Sequence, residues 1–355
     1  MKQLTCSPLI HQHIYPEAPI FTPDSRFFVY SRRQSPDQPR SYWLCEVGEK
    51  WRLYRMTDES PVAGPVISPD GEYLYYLWER TENEVVLVRR HLWNGLREEL
   101  IVVRGFHGIY PLGTMSPDGR YYATRMLQAD MTACILRFDI AELSWRIIHC
   151  HPEIFNAHLQ WEPGRGQDIL IQHNRGGRLD AYGNSAPRCG PEGATLYLID
   201  FEGKNKRPLS IGKPHTPRVQ GHHVWLGHTG TILSTLGRDV EIDGKKGNLV
   251  TVAEGDKAPR VVSTGRFFYH VAASADGKYF ICDDDPDDIY VGSVKTGKYR
   301  LLCRSETTLG AGQYTEAHAF LSPDCRYAFF NSTRSGIAQI YAATVPEGFL
   351  ESLEN

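Results

Sequence analysis

Long apolar runs are missing from this chain. No stretch of about 18 residues is apolar enough for a membrane-spanning helix, and the N-terminal M-K-Q-L-T-C-S-P-L-I lacks the apolar core and small-residue cleavage site of a leader. A soluble protein of the cytoplasm, with no membrane partner, is therefore expected. Excess charge of one sign is missing too: 39 basic and 42 acidic residues are mixed along 355 positions, for a net charge of -3. That balance offers no cationic stripe to a polyphosphate backbone, which excludes nucleic acid as an expected partner. Helical periodicity is scarce, since no Ala/Leu/Glu/Lys-rich stretch repeats its apolar residues every three to four positions. Paired cysteines are absent as well. The eight cysteines (6, 45, 134, 150, 189, 282, 303, 325) form no C-x-x-C, and most lie within apolar runs such as C-I-L-R-F, so they read as free buried thiols.

Aromatic and β-branched residues are plentiful, and 32 glycines and 22 prolines punctuate them. Short strands joined by tight turns, with almost no helix, are the expected content. A turn signature then recurs: F-T-P-D-S-R-F-F, I-S-P-D-G-E-Y-L, M-S-P-D-G-R-Y-Y, A-S-A-D-G-K-Y-F and L-S-P-D-C-R-Y-A. Asp24, Asp70 and Asp118 follow one another at 46 and 48 residues, and Asp276 and Asp324 at 48. Two degenerate copies, H-L-Q-W-E-P-G-R-G and H-H-V-W-L-G-H-T-G, fill the interval between, separated by an irregular Gly/Pro-rich loop over 175–193. Seven units of four short strands predict an all-β, seven-bladed β-propeller spanning residues 1–355 as one domain. The last unit has only three strands of its own, so residues near 2–10 are expected to supply its outer strand and close the ring.

Six residues before the turn marker, four consecutive units carry histidine: His158, His222, His270 and His318. The other three carry Ala18, Gly64 and Leu112 there. Histidine fills only 14 of 355 positions, so its recurrence in one register argues for convergence at one mouth of the central channel. A lone channel histidine is ordinarily just hydrogen-bonded; four together call for a cation or an anionic ligand. Gln313 and Glu316 lie just before His318, and imidazole, carboxylate and amide oxygens together suit a divalent ion such as Mn2+. His270, Gln313, Glu316 and His318 are thus the expected metal ligands. The run D-D-D-P-D-D (283–288) reads as a solvated turn, and H-Q-H (11–13) faces either the ring closure or the channel mouth.

These residues resemble the oligogalacturonate lyases, cytoplasmic seven-bladed propellers that use manganese to split short pectin-derived uronic-acid oligomers by β-elimination. The family's last-blade motif, beginning Q-x-x-H-x-H and ending P-D, resembles Q-Y-T-E-A-H-A-F-L-S-P-D, and its L-Y-x-A-x-V-P-E resembles I-Y-A-A-T-V-P-E. The resemblance matches His270 to the sixth-blade metal ligand and His222, in G-H-H-V-W, to the catalytic histidine. It is best over 155–347 and implies a metal-dependent lyase acting on a small acidic oligosaccharide. The chain departs from the family at Glu316, where a histidine is expected, and at Thr195, which stands in place of the catalytic arginine. Arg175, Arg178 and Arg188 of the adjacent loop are the candidates to replace it. His158, His173 and Arg188 are candidate substrate-binding residues. The competing classes are a non-catalytic sugar- or protein-binding propeller, and a metal enzyme acting on another uronate or sugar by different chemistry.

Overall fold

The S-P-D-G turn explains why this sequence folds as it does. In a computed structural model that describes residues 1–15, 17–284, 287–307 and 315–355, Ser116 donates its hydroxyl to Asp118 Oδ1 (2.5 Å) and accepts the Tyr121 N–H (2.9 Å). Asp118 in turn accepts the Arg120 N–H at 3.0 Å. Ser68, Ser274 and Ser322 repeat this with Asp70, Asp276 and Asp324, and Thr22 does so with Asp24. Each turn thus satisfies its own backbone and launches an aromatic-rich strand. Its last position needs a left-handed backbone, which Gly71, Gly119 and Gly277 adopt freely (φ 74°, 71° and 72°).

The strands form seven four-stranded antiparallel sheets, the blades of a β-propeller. Blade 1 begins with the inner strand Ile10–His13, blade 3 ends with the outer strand Ser144–His151, and blade 4 contains Gln160–Trp161, Asp168–Arg175, Gly193–Asp200 and Arg207–Pro208. The inner strands of blades 5 and 6 are Val219–Trp225 and Phe268–Ala273. Blade 7 combines Phe320–Leu321, Tyr327–Ser332 and Gln339–Thr344 with Lys2–Gln3, which pairs Lys2 with Ala342 and Gln3 with Tyr341. The ring is therefore closed by the N-terminal strand, as expected. Among the described residues the helical content is one α-helix, Glu351–Glu354, and one 3-10 turn, Pro152–Ile154.

Second-strand side chains such as Phe28, Tyr76, Tyr122, Phe280 and Phe329 are wholly buried, stacking blade on blade. Burial of each contributes about 1.5–3 kcal/mol, which a lone four-stranded sheet cannot collect. One expectation fails. Cys134 and Cys150 are not free thiols but a disulfide, because the register of the third and outer strands of blade 3 sets them directly opposite each other. Neighbouring sequence says nothing of cross-strand register, which is why each cysteine looked solitary.

Candidate functional site

The four register-matched histidines stand where the inner strands leave regular geometry. Ladder irregularities in blades 5 and 6, between Val219 and His223 and between Phe268 and Val271, bracket His222 and His270. His158 and His318 instead take left-handed conformations (φ 41° and 43°) just before their strands. Bulges and kinks of this kind re-aim side chains, and here they turn the imidazoles toward the channel. The His222 and His270 rings are 4.2 Å apart, those of His270 and His318 3.8 Å.

Neighbouring elements hold this cluster. The segment before Phe320–Leu321 is fixed by Asn331, whose Nδ2 donates to Glu316 O (3.0 Å) while its Oδ1 accepts the His13 N–H (3.0 Å). His13 Nε2 lies 2.9 Å from Ala317 O, and Gln12 Nε2 donates to Thr315 Oγ1 at 2.7 Å. The H-Q-H strand therefore serves both the ring closure, through the His11 N–H to Ala338 O (3.0 Å), and the channel mouth.

His270, Glu316 and His318 present ligand atoms within 4.8 Å of one another. Glu316 Oε2 lies 3.2 Å from His270 Nε2 and 3.6 Å from His318 Nε2. Both nitrogens are nonetheless buried without a well-formed hydrogen bond among the described residues. Orphaned imidazole nitrogens facing one carboxylate fit a divalent cation. Gln313 lies outside the described residues. Asp283, read from sequence as part of a solvated turn, is instead buried, and its carboxylate oxygens accept from His270 Nδ1 at 2.9–3.0 Å. That contact orients a ligand from behind and sets its tautomer. Burial opposes charge on His270, but the Asp283 and Glu316 carboxylates outweigh it and raise its pKa to about 9. Burial, reinforced by His270, holds His318 and His222 well below the ordinary histidine value.

A cavity of about 460 Å³ opens beside the cluster, bounded by His158, His222, Tyr269, Glu316, Arg188 and Arg218. Tyr15 forms its inner wall, edge-on to His318 (4.4 Å) and His158 (5.3 Å) and parallel to His222 (6.1 Å). His158 Nδ1 bonds Glu17 Oε1 at 2.5 Å, so its ring is already paired within the channel. A larger cavity, about 520 Å³, lies at the opposite mouth, but prolines and aromatics such as Pro69, Pro117, Trp161 and Phe320 wall it. The titratable groups converge at the first.

Other sequence candidates fall elsewhere. Arg175 donates to the carbonyls of Gly193, Lys213 and Glu192, and Arg178 to that of Ala186. Both brace their own loop rather than line the cavity; Arg188 does line it, joined by Arg218, which the sequence did not single out. His173 faces away from the cavity, because its strand neighbours Gln172 and Asn174 point into it and successive side chains alternate. Thr195, in the family arginine's place, donates its hydroxyl to Ile211 O at 2.5 Å. Tyr15 and Glu17 were missed and Asp283 was misread: none shares the histidine register, and only H-Q-H (11–13) stood out near the first two.

Fold and site together define a β-propeller with a candidate metal centre at one mouth of its channel. No protein-family model matches the sequence, and no curated protein matches it. Among solved structures it is similar to an oligogalacturonate lyase in complex with manganese: TM-score 0.76, 18% identity, 98% of this chain and 93% of that one covered. It is also similar to the oligogalacturonate lyase of Vibrio parahaemolyticus (TM-score 0.75, 17% identity, 98% and 94% covered). The Cps50 (Swd1) β-propeller domain of Myceliophteria thermophila matches less well, at TM-score 0.57 and 13% identity over 95% and 99%. At these identities the likeness establishes the propeller fold.

Proposed function

We propose that this protein is a divalent-metal-dependent lyase that cleaves short uronic-acid oligosaccharides by β-elimination. The observation that carries the reading is the His222 imidazole beside the His270–Glu316–His318 cluster, at the wall of a cavity rimmed by Arg188 and Arg218. A structural neighbour holds manganese, which supports Mn2+ as the ion. His270, Glu316 and His318 would hold it, with Gln313 completing the set. Bound there, the ion supplies a Lewis acid for the substrate carboxylate, against which negative charge builds as the C5 proton leaves.

His222, kept neutral by burial, is the base that accepts the C5 proton. The electron pair of that bond forms the 4,5 double bond, and the C4–O bond breaks onto the leaving oxygen, which takes up a proton. Arg188 and Arg218 pair with neighbouring carboxylates by their fork geometry. His222→Ala is expected to lower kcat about 10²- to 10⁴-fold with bound Mn2+ unchanged.

The test is incubation of Mn2+-loaded protein with di- and trigalacturonate, following ultraviolet absorbance of the unsaturated product. No absorbance, with manganese occupancy verified, would overturn the pectin assignment. A lyase for another uronate is the second reading, favoured by Thr195, whose hydroxyl is committed to Ile211 O where the family carries its arginine. Product from other uronates but not from galacturonates would select it.

A further inference from the structure

A second histidine cluster lies off the channel, at the seam of blades 3 and 4. His151 ends the outer strand Ser144–His151, Glu153 lies on the 3-10 turn that follows, and His173 sits on the second strand of blade 4. His173 Nε2 lies 2.7 Å from Glu153 Oε2, and the His151 and His173 rings meet edge to face at 4.8 Å. One ligand atom from each of the three lies within 4.8 Å of the others.

We propose that His151, Glu153 and His173 form a zinc site, separate from the channel-mouth cluster, that staples the root of the 175–193 loop. Two imidazoles and a carboxylate are a donor set suited to zinc, leaving the fourth tetrahedral position to water. Ligand atoms about 2.0–2.2 Å from an ion stand roughly 3.4 Å apart, so the 2.7 Å contact of His173 with Glu153 must open slightly to admit the ion while His151 completes the triangle. All three are half-buried. The ion replaces the proton shared between His173 and Glu153. Ligation through His151 Nδ1 exchanges the hydrogen bond it accepts from the Glu153 N–H (3.1 Å) for the metal.

The connection to the loop is already in place. Glu153 Oε1 accepts the Gly176 N–H at 2.8 Å, and the Gly190 N–H donates to Arg175 O at 2.8 Å across the loop base. A carboxylate that is itself hydrogen-bonded is the usual support of a ligand. Fixing Glu153 therefore fixes the base of the loop that brings Arg188 to the cavity. The Lys206 charge opposes the ion: its ammonium lies over the Tyr197 ring at 4.2 Å, and that ring meets His173 edge to face at 5.7 Å.

The test counts zinc. Metal-free protein is titrated with Zn2+ by calorimetry, with elemental analysis of bound metal and circular dichroism to verify folding. Wild type is expected to hold two equivalents, His270→Ala one, His173→Ala one and the double variant none. Lys206→Ala removes no ligand and is expected to tighten the second site about 2- to 5-fold. A folded His270→Ala protein that binds no zinc, or a folded His173→Ala protein that still binds two, overturns the site. Unchanged affinity in Lys206→Ala overturns the placement of the ion at His173, within reach of the Lys206 charge. None of these readings depends on lyase activity.

Discussion

Asp283 is the side chain whose role departs furthest from its surroundings in sequence. Within an acidic run it looks solvated, yet it is buried behind His270 and bonds the nitrogen that faces away from Glu316. Removing such a support typically weakens a metal 10- to 100-fold. Asp283→Asn is therefore expected to lower Mn2+ affinity by about that factor while His270, Glu316 and His318 stay in place, as read by calorimetry. An affinity equal to wild type would show that His270 needs no carboxylate behind it. The residues legible in sequence were those repeated in register, His158, His222, His270 and His318. Asp283 and Tyr15 were not: Asp283 meets His270 through the pairing of two adjacent strands, Tyr15 meets histidines of three other blades, and no period in the sequence records either.

At the level of elements, the turns were legible and the ladders were not. Ser-Pro-Asp-Gly and the two residues after it hold all of the turn's hydrogen bonds within six consecutive positions, so the residue order by itself is enough to place each turn. Cys134 opposite Cys150, by contrast, follows from the pairing of two strands across a hairpin. A cross-link closing a loop of about 15 residues contributes about 3 kcal/mol in the chain-entropy account. Cys150→Ala is expected to lower the melting temperature by several degrees, and reductant to do the same to wild type. A melting curve insensitive to both would mean that the strands of blade 3 need no cross-link.

At the level of the whole molecule, the ring depends on a two-residue strand and the segment behind it. Beyond the pairs of Lys2 and Gln3, the Leu4 N–H bonds Ile340 O (2.8 Å), the Ile340 N–H bonds Thr5 Oγ1 (3.0 Å), and Gln339 Nε2 reaches Ser7 O and Leu9 O. Without residues 1–9 the outer edge of Gln339–Thr344 is bare, and bare edges pair with other chains. The truncated protein is expected to melt earlier and to elute as higher-order species in size exclusion with light scattering. A monomer of unchanged melting temperature would overturn that dependence. This closure was legible because a blade short of one strand leaves an obvious vacancy at the other end of the chain.

The left-handed backbone at His318 has one more consequence. Gly64, in the same register of blade 2, has φ 60°, and His158 and His318 have φ 41° and 43°. Glycine is at home in that conformation and any side chain is strained there. The gentlest way to erase His318 is therefore to glycine rather than alanine: His318→Gly copies what blade 2 already tolerates, and separates loss of the imidazole from damage to the scaffold. Blade 2, in effect, is the chain's own unarmed control for blades 4 and 7.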